Sequence, residues 1–181
     1  MTSDYPEWFY YPASRPPAGW VADFIRVVAE ARSGIDSRVV DGLASDKVLA
    51  ALAGGLKSLG FVIEESKLAK SKIRRPVLFG DRGIERVAYQ VDGWHEGHGI
   101  VLEIEAGRGA RGNAVYRDII RSSLIVDANY FALGVMLAYR HLSKGQLVSV
   151  PSYGDAKSVL DASERPNDTS VRRCAPVRLL A

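Results

Sequence analysis

Ile84 to Arg108 reads IERVAYQVDGWHEGHGIVLEIEAGR. Val87, Tyr89 and Val91 alternate with Ala88, Gln90 and Asp92, and after a Gly- and His-containing turn comes Ile100-Val101-Leu102-Glu103-Ile104-Glu105. Period-two alternation over runs this short predicts strands, and Gly93, Gly97 and Gly99 supply the turn chemistry between them. The expectation is a β-hairpin of these two runs. Residues two apart share a strand face, so Glu103 and Glu105 point one way while Leu102 and Ile104 point the other.

Acids inside an apolar strand are unfavourable unless they are paired or bind a metal. Asp92 closes the first run and is expected to meet Glu103 and Glu105 across the hairpin. Three carboxylates at one sheet edge would form an oxygen-rich site suited to Mg²⁺, a hard cation that takes carboxylate, water and phosphate ligands.

This pattern resembles the PD-(D/E)xK, or restriction-endonuclease-like, nuclease superfamily. That family places an Asp at the end of one strand and an acid-x-Lys on the next, here Asp92, Glu103 and Glu105. The sequence departs from it twice. Val91 stands where the family often has Pro, and Glu105 stands at the Lys position, where a subset of type II restriction enzymes also carries Glu. The resemblance implies that Asp92, Glu103 and the Ile104 carbonyl hold Mg²⁺ (or Mn²⁺), and that Glu105 orients or deprotonates the attacking water. It implies a DNA endonuclease acting on duplex DNA as a homodimer.

Helical spacing outside this stretch runs from Val21 to Arg32, with Val21, Phe24, Ile25, Val28 and Ala29 on one face, and from Ser45 to Leu59. Ser45 is placed as the N-cap of the second helix, and Gly54-Gly55 inside it weakens that reading. Phe61 to Glu65 and Pro76 to Phe79 are predicted strands. Lys67 to Arg75 is a basic loop, read either as a phosphate contact or as a solvated turn.

Ala106 to Gly112 is a Gly- and Arg-rich connection leading to a helix over 114–126, with Asn113 as its cap. Its apolar face is expected to be Tyr116, Ile119, Ile120, Ser123 and Leu124. Arg108, Arg111, Arg117 and Arg121 then form a basic ridge beside the acids, the expected nucleic-acid contacts. Asp118 is expected to pair locally with one of these arginines.

Tyr130 to Tyr139 is apolar enough for a strand buried on both faces. An outer strand over 147–150, a helix over 155–162 and, from Arg165 onward, either a loosely ordered tail or a last edge strand near 177–180 complete the chain. Taken in order these elements resemble an αβββαβ nuclease core over about residues 45–139: an α/β fold with a mixed central sheet flanked by helices. Residues 1–19 form an aromatic, Pro-rich arm, packed on its own domain or on a partner, and 1–181 read as one domain.

Composition narrows the remaining classes. The chain is 47% hydrophobic and 25% charged, an ordinary globular balance with a net charge of +3. The lone Cys174 excludes an internal disulfide and suits a reducing cytoplasm. No apolar run is long enough for a membrane span, and the N-terminus lacks a signal-peptide pattern.

Other motifs carry less. His95-Glu96-Gly97-His98 is not a helical HExxH and reads as a surface turn, with His95 an optional proton carrier. GRGARG over 107–112, with Asp127 further on, formally matches a dinucleotide fingerprint, but the acids before it would crowd a pyrophosphate. Asp46 is either a first-turn acid favoured by the helix dipole or an extra site carboxylate. Alongside the nuclease stand two alternatives: a non-catalytic member of the same fold that binds nucleic acid or a protein, and a small dinucleotide-binding protein.

Overall fold

The computed structural model describes residues 5–40, 42–65, 68, 71–107 and 112–163, and the backbone of 177–180. In chain order the elements are β1 (Trp8–Tyr10), α1 (Trp20–Glu30), α2 (Arg32–Ile35), α3 (Ser45–Ser58), β2 (Val62–Ile63), β3 (Ile73–Phe79), β4 (Glu85–Val91), β5 (Gly93–His95), β6 (Ile100–Glu105), α4 (Ala114–Leu124), β7 (Tyr130–Val135), β8 (Tyr139–Ser143), β9 (Gln146–Val150), α5 (Ser152–Ser163) and β10 (Val177–Leu180). Six strands form one mixed sheet in the order β1-β10-β7-β6-β5-β2, while β3-β4 and β8-β9 are separate hairpins. β6 and β7 are parallel, and β5 is antiparallel to both β6 and β2.

Helices cover both faces of this sheet. Ile100, Leu102 and Ile104 of β6 pack with Phe24 and Val27 of α1 and Leu52 and Leu56 of α3. Val101 of β6 and Phe131, Leu133 and Val135 of β7 pack on the other side with Val115 of α4 and Ala156 and Leu160 of α5. Both central strands are therefore apolar on two faces over most of their length, as buried parallel strands require. Among the described residues no helix is long and apolar enough to cross a membrane.

The adjacent glycines of α3 have opposite surroundings. A Cβ on Gly55 would lie 2.6 Å from Val27 Cγ1, whereas a Cβ on Gly54 would meet nothing within 4 Å. Gly55 thus permits the close approach of α1 and α3, and Gly54 only carries the backbone-entropy cost of glycine in a helix. Gly54→Ala is expected to stabilise the protein by about 0.5–1 kcal/mol, and Gly55→Ala to destabilise it by about 1–3 kcal/mol through overpacking. Paired chemical melts would show opposite displacements of the midpoint; displacements of one sign would contradict this account.

The aromatic arm packs on its own chain. β1 pairs with β10, and the Tyr11 hydroxyl donates to Asp161 of α5 at 2.6 Å. Tyr5 lies beneath the guanidinium groups of Arg32 and Arg38. Both arginines hold the buried carboxylate of Asp36, with Arg38 donating at 2.9 Å to each of its oxygens. Those hydrogen bonds, Arg38's first, pull Asp36 down to about 2 despite its burial.

Several expectations need correction. β4 does not pair with β6: the chain bends at Asp92, β4 takes β3 as its partner, and only Gly93–His95 continue into the hairpin with β6. The basic stretch before Pro76 is in part strand, because β3 begins at Ile73. Ser45 is the first residue of α3 instead of its cap, and its hydroxyl accepts the Ala106 N–H at 3.0 Å. Asn113 precedes α4 in a left-handed conformation and makes no side-chain capping bond. β10 is not an edge strand; it lies between β1 and β7.

α4 is rolled relative to its expected face. It buries Val115, Asp118 and Ser122 and exposes Tyr116, Ile120 and Leu124. The inward residues keep helical spacing but include an acid, because that face meets the polar end of β6.

Candidate active site

β6 explains why acids gather here. Its odd positions, Val101, Glu103 and Glu105, face α4. Val101 fills apolar space under that helix, but the next position on the same face is Glu103. Burial raises the Glu103 carboxyl well above its ordinary range, and neighbouring Asp92 and Asp118 raise it further; Arg117 and Arg121 oppose this without cancelling it. Among the described residues Glu103 has no hydrogen-bond or ion-pair partner.

Asp92 sits at the bend between β4 and β5. Gly93 makes this bend possible, since a Cβ there would lie 2.9 Å from Ile63 Cδ1 and 3.0 Å from Leu102 Cδ2. β5 pairs with β6 only up to Leu102, opposite Gly93. Two residues further on, the Ile104 N–H donates to Asp92 Oδ2 at 2.8 Å. In an extended strand the N–H and C=O of one residue lie toward the same edge, so the Ile104 carbonyl opens on the Asp92 side as well.

Burial lifts Asp92 from 3.8 to about 6, with Glu64 and Asp118 adding to the rise; the Ile104 N–H and Lys72 act in the other direction. Lys72 is ion-paired with Glu64, whose backbone N–H donates to the Asp92 carbonyl at 2.9 Å. An open cleft of about 850 Å³ runs past Asp92, between Ile63, Glu64 and Lys72 on one side and Ser45, Asp46 and Lys47 of α3 on the other.

The third acid that joins Asp92 and Glu103 is Asp118, with Glu64 beside Asp92. Glu105, expected in that place, turns to its own loop, where its Oε1 accepts the Gly107 N–H at 2.7 Å. It also borders a small apolar cavity lined by Tyr5, Phe24, Val48 and Met136.

Asp118 is 3% exposed, and Arg117 donates to its Oδ1 at 2.9 Å; burial still raises its carboxyl above the usual value. Arg121 lies over the Tyr89 ring. Arg117 and Arg121 thus do stand beside the acids, while Arg108 and Arg111 lie outside the described residues. Asp46 borders the same cleft as Asp92. His95 has both ring nitrogens engaged, Nε2 with the Leu59 carbonyl at 2.9 Å and Nδ1 with the His98 N–H at 3.1 Å.

Compared with family models, with curated proteins and with solved structures, the chain matches none. Its site must therefore be read from its own chemistry. Among the described residues no group of three or more His, Cys, Asp and Glu side chains is arranged to hold a metal ion by itself. The cluster instead offers three carboxylates raised by burial, Asp92, Glu103 and Asp118, and one main-chain carbonyl edge, with Asp92 bordering the open cleft.

Asp118, Glu64 and Lys72 are the residues that sequence reasoning missed in this role. The signal for Asp118 was present in the spacing Val115-Asp118-Ser122, a helical face with an acid at its centre. Glu64 and Lys72 had no local signal, for they reach the site through tertiary placement of β2 and the segment before β3.

Proposed function

We propose that the protein is a metal-dependent endonuclease that hydrolyses phosphodiester bonds in DNA. The observation that carries this reading is the pair Asp92 and Glu103, two half-buried carboxylates close enough for Asp92 to oppose the ionisation of Glu103, with arginines on the flanking helix. Such a pair is unfavourable for folding alone and suits a site that receives a cation and an anionic substrate. The succession α3, β2, β5, β6, α4, β7, with its antiparallel and then parallel pairings, supports placing the chain in the restriction-endonuclease-like class.

The donor set fits Mg²⁺ or Mn²⁺: Asp92, Glu103 and the Ile104 carbonyl are hard oxygen ligands, too few to complete a shell without water and phosphate, as is usual for Mg²⁺. When bound, the ion would polarise the phosphodiester and lower the pKa of a coordinated water. Ile104 N–H fixes the Asp92 carboxylate so that its other oxygen is free to face the ion. Arg117 and Arg121 balance the charge of adjoining phosphates. Glu105 would orient the attacking water only by turning from the Gly107 N–H toward the pair; its Oε2 makes no hydrogen bond among the described residues. Cutting both strands of a duplex calls for two such sites, so a homodimer belongs to the proposal.

A second reading, a nucleic-acid- or protein-binding member of the same fold without activity, is favoured by one observation. Glu105 stands at the Lys position and is tied to Gly107.

Calorimetric titration of Mn²⁺ at pH 8, with duplex DNA present and absent, tests the proposal. Wild type should bind the ion and Asp92→Asn should bind it at least about tenfold more weakly, the scale of losing one charged ligand contact. Absence of binding by wild type in both conditions, or equal binding by the variant, would overturn it.

A further inference from the structure

The β3–β4 hairpin is a separate two-stranded sheet and carries most of the chain's excess positive charge. Residues 73–91 hold Arg74, Arg75, Arg82 and Arg86 against Asp81 and Glu85, a net of +2 within a chain whose net charge is +3. A surplus collected on one projecting element is an electrostatic footprint, whereas the same surplus spread over the surface would not be.

The root of this ribbon is fixed. Ile73, Val77 and Tyr89 pack into the core beside Ile119 of α4, and the Val126 N–H donates to the Pro76 carbonyl at 2.9 Å. β4 leads from there directly into Asp92. Each strand has seven residues, and at roughly 3.3 Å per residue the ribbon reaches about 20 Å from the carboxylates. A two-stranded ribbon of this kind fits the major groove of B-DNA.

The distal half differs from the root. Leu78, Phe79 and Ile84 are 49%, 47% and 66% exposed. Arg74 is paired with Glu85 at 3.0 Å and Arg75 with Glu96 at 3.2 Å, but Arg82 and Arg86 have no ion-pair partner among the described residues. Their backbone positions are unusual. Arg82 occupies the turn with φ +60°. Arg86 is skipped in the ladder, which passes from Leu78 opposite Val87 to Phe79 opposite Glu85. Such a bulge re-aims the side chain it carries.

We infer that the β3–β4 ribbon is a duplex-gripping arm, with Arg82 and Arg86 on phosphates and the exposed apolar residues of its far end against the groove wall. The inference rests on the nucleic-acid reading above and gives that site its duplex partner. An acidic protein would also answer the charge. The duplex is favoured because the ribbon is continuous with the carboxylates that would meet the scissile phosphate, and a two-stranded ribbon is of a width that the major groove admits.

Fluorescence anisotropy with a short labelled duplex tests the arm, with Ca²⁺ in place of Mg²⁺ to slow cleavage. The double variant Arg82→Ala/Arg86→Ala should bind roughly 10- to 100-fold more weakly near 0.1 M salt, with a salt dependence shallower by about two in log–log slope. Arg26→Ala on α1 should leave that slope unchanged. If wild type binds and cleaves DNA while the double variant binds with unaltered slope, the inference falls and the nuclease reading stands. If Arg26→Ala lowers the slope equally, or the variant loses single-stranded DNA and no duplex, the arm is likewise wrongly assigned. If wild type binds no nucleic acid in any salt, both fall together, and an acidic protein becomes the partner to seek.

Discussion

Glu103→Gln is expected to lower Mg²⁺-dependent DNA cleavage by on the order of 1,000-fold or more, the scale of removing one group that stabilises transition-state charge, while leaving the protein at least as stable as wild type. The two effects have one cause. Glu103 continues the apolar face of β6 below α4, where burial, Asp92 and Asp118 all oppose its ionisation. Gln keeps the shape and removes the charge, so folding loses an unfavourable term and the site loses a ligand. A carboxylate retained for structure would behave in the opposite sense, because its removal would strand a cation. The described residues place no cation in direct contact with Glu103; Arg117 is engaged by Asp118. Cleavage of supercoiled DNA and a thermal melt on the same preparations check both halves. Undiminished cleavage in the variant would end the catalytic assignment. Lost cleavage together with a collapsed melt would show instead that the acid holds the fold.

How much of this site could be read in the sequence depended on the range of the interaction. The β6 alternation is local, and it placed Glu103 and Glu105 on one face and Ile104 on the other correctly. The turn before β6 and the amphipathic helices α1 and α3 are likewise local patterns. Strand partnership is not: nothing within 85–91 distinguishes β3 from β6 as its neighbour, and the bend at Asp92 that decides between them depends on Gly93 meeting Ile63 and Leu102.

The same limit governs α4. Tyr116, Ile120 and Leu124 are its most apolar outward positions, and hydrophobicity alone turns them inward. The helix is oriented instead by Val115 against the sheet and by Asp118 with Arg117 beside the Glu103 carboxylate. Glu105 illustrates a third case. Its face was legible, but its rotamer is set by the Gly107 N–H, a contact that no spacing rule contains.

The pH dependence of stability provides a test that needs no substrate. In the metal-free protein, Asp92 titrates near 6 against 3.8 in its unperturbed state. Between these values the folded chain holds a proton that the unfolded chain has released, so stability falls as pH rises through this window. The shift corresponds to about 3 kcal/mol. Glu103 and Asp118, also raised by burial, act in the same direction. Asp36 acts in the reverse sense. Its carboxyl is lowered to about 2, and its stabilisation is complete above 3.8 and lost as pH falls through 2. The two windows do not overlap, so denaturant melts in EDTA at pH 4.5 and pH 7 report the acids of the site without Asp36. The metal-free protein should be more stable at pH 4.5, Asp92→Asn should reduce that difference and leave the part due to Glu103 and Asp118, and millimolar Mg²⁺ should raise stability at pH 7 only, because the ion requires the ionised carboxylates. A metal-free protein that gains stability from pH 4.5 to pH 7, with Asp92→Asn unchanged from wild type, would mean that Asp92 is already satisfied by its own chain. The case for a cation at Asp92 and Glu103 would then lose its physical basis.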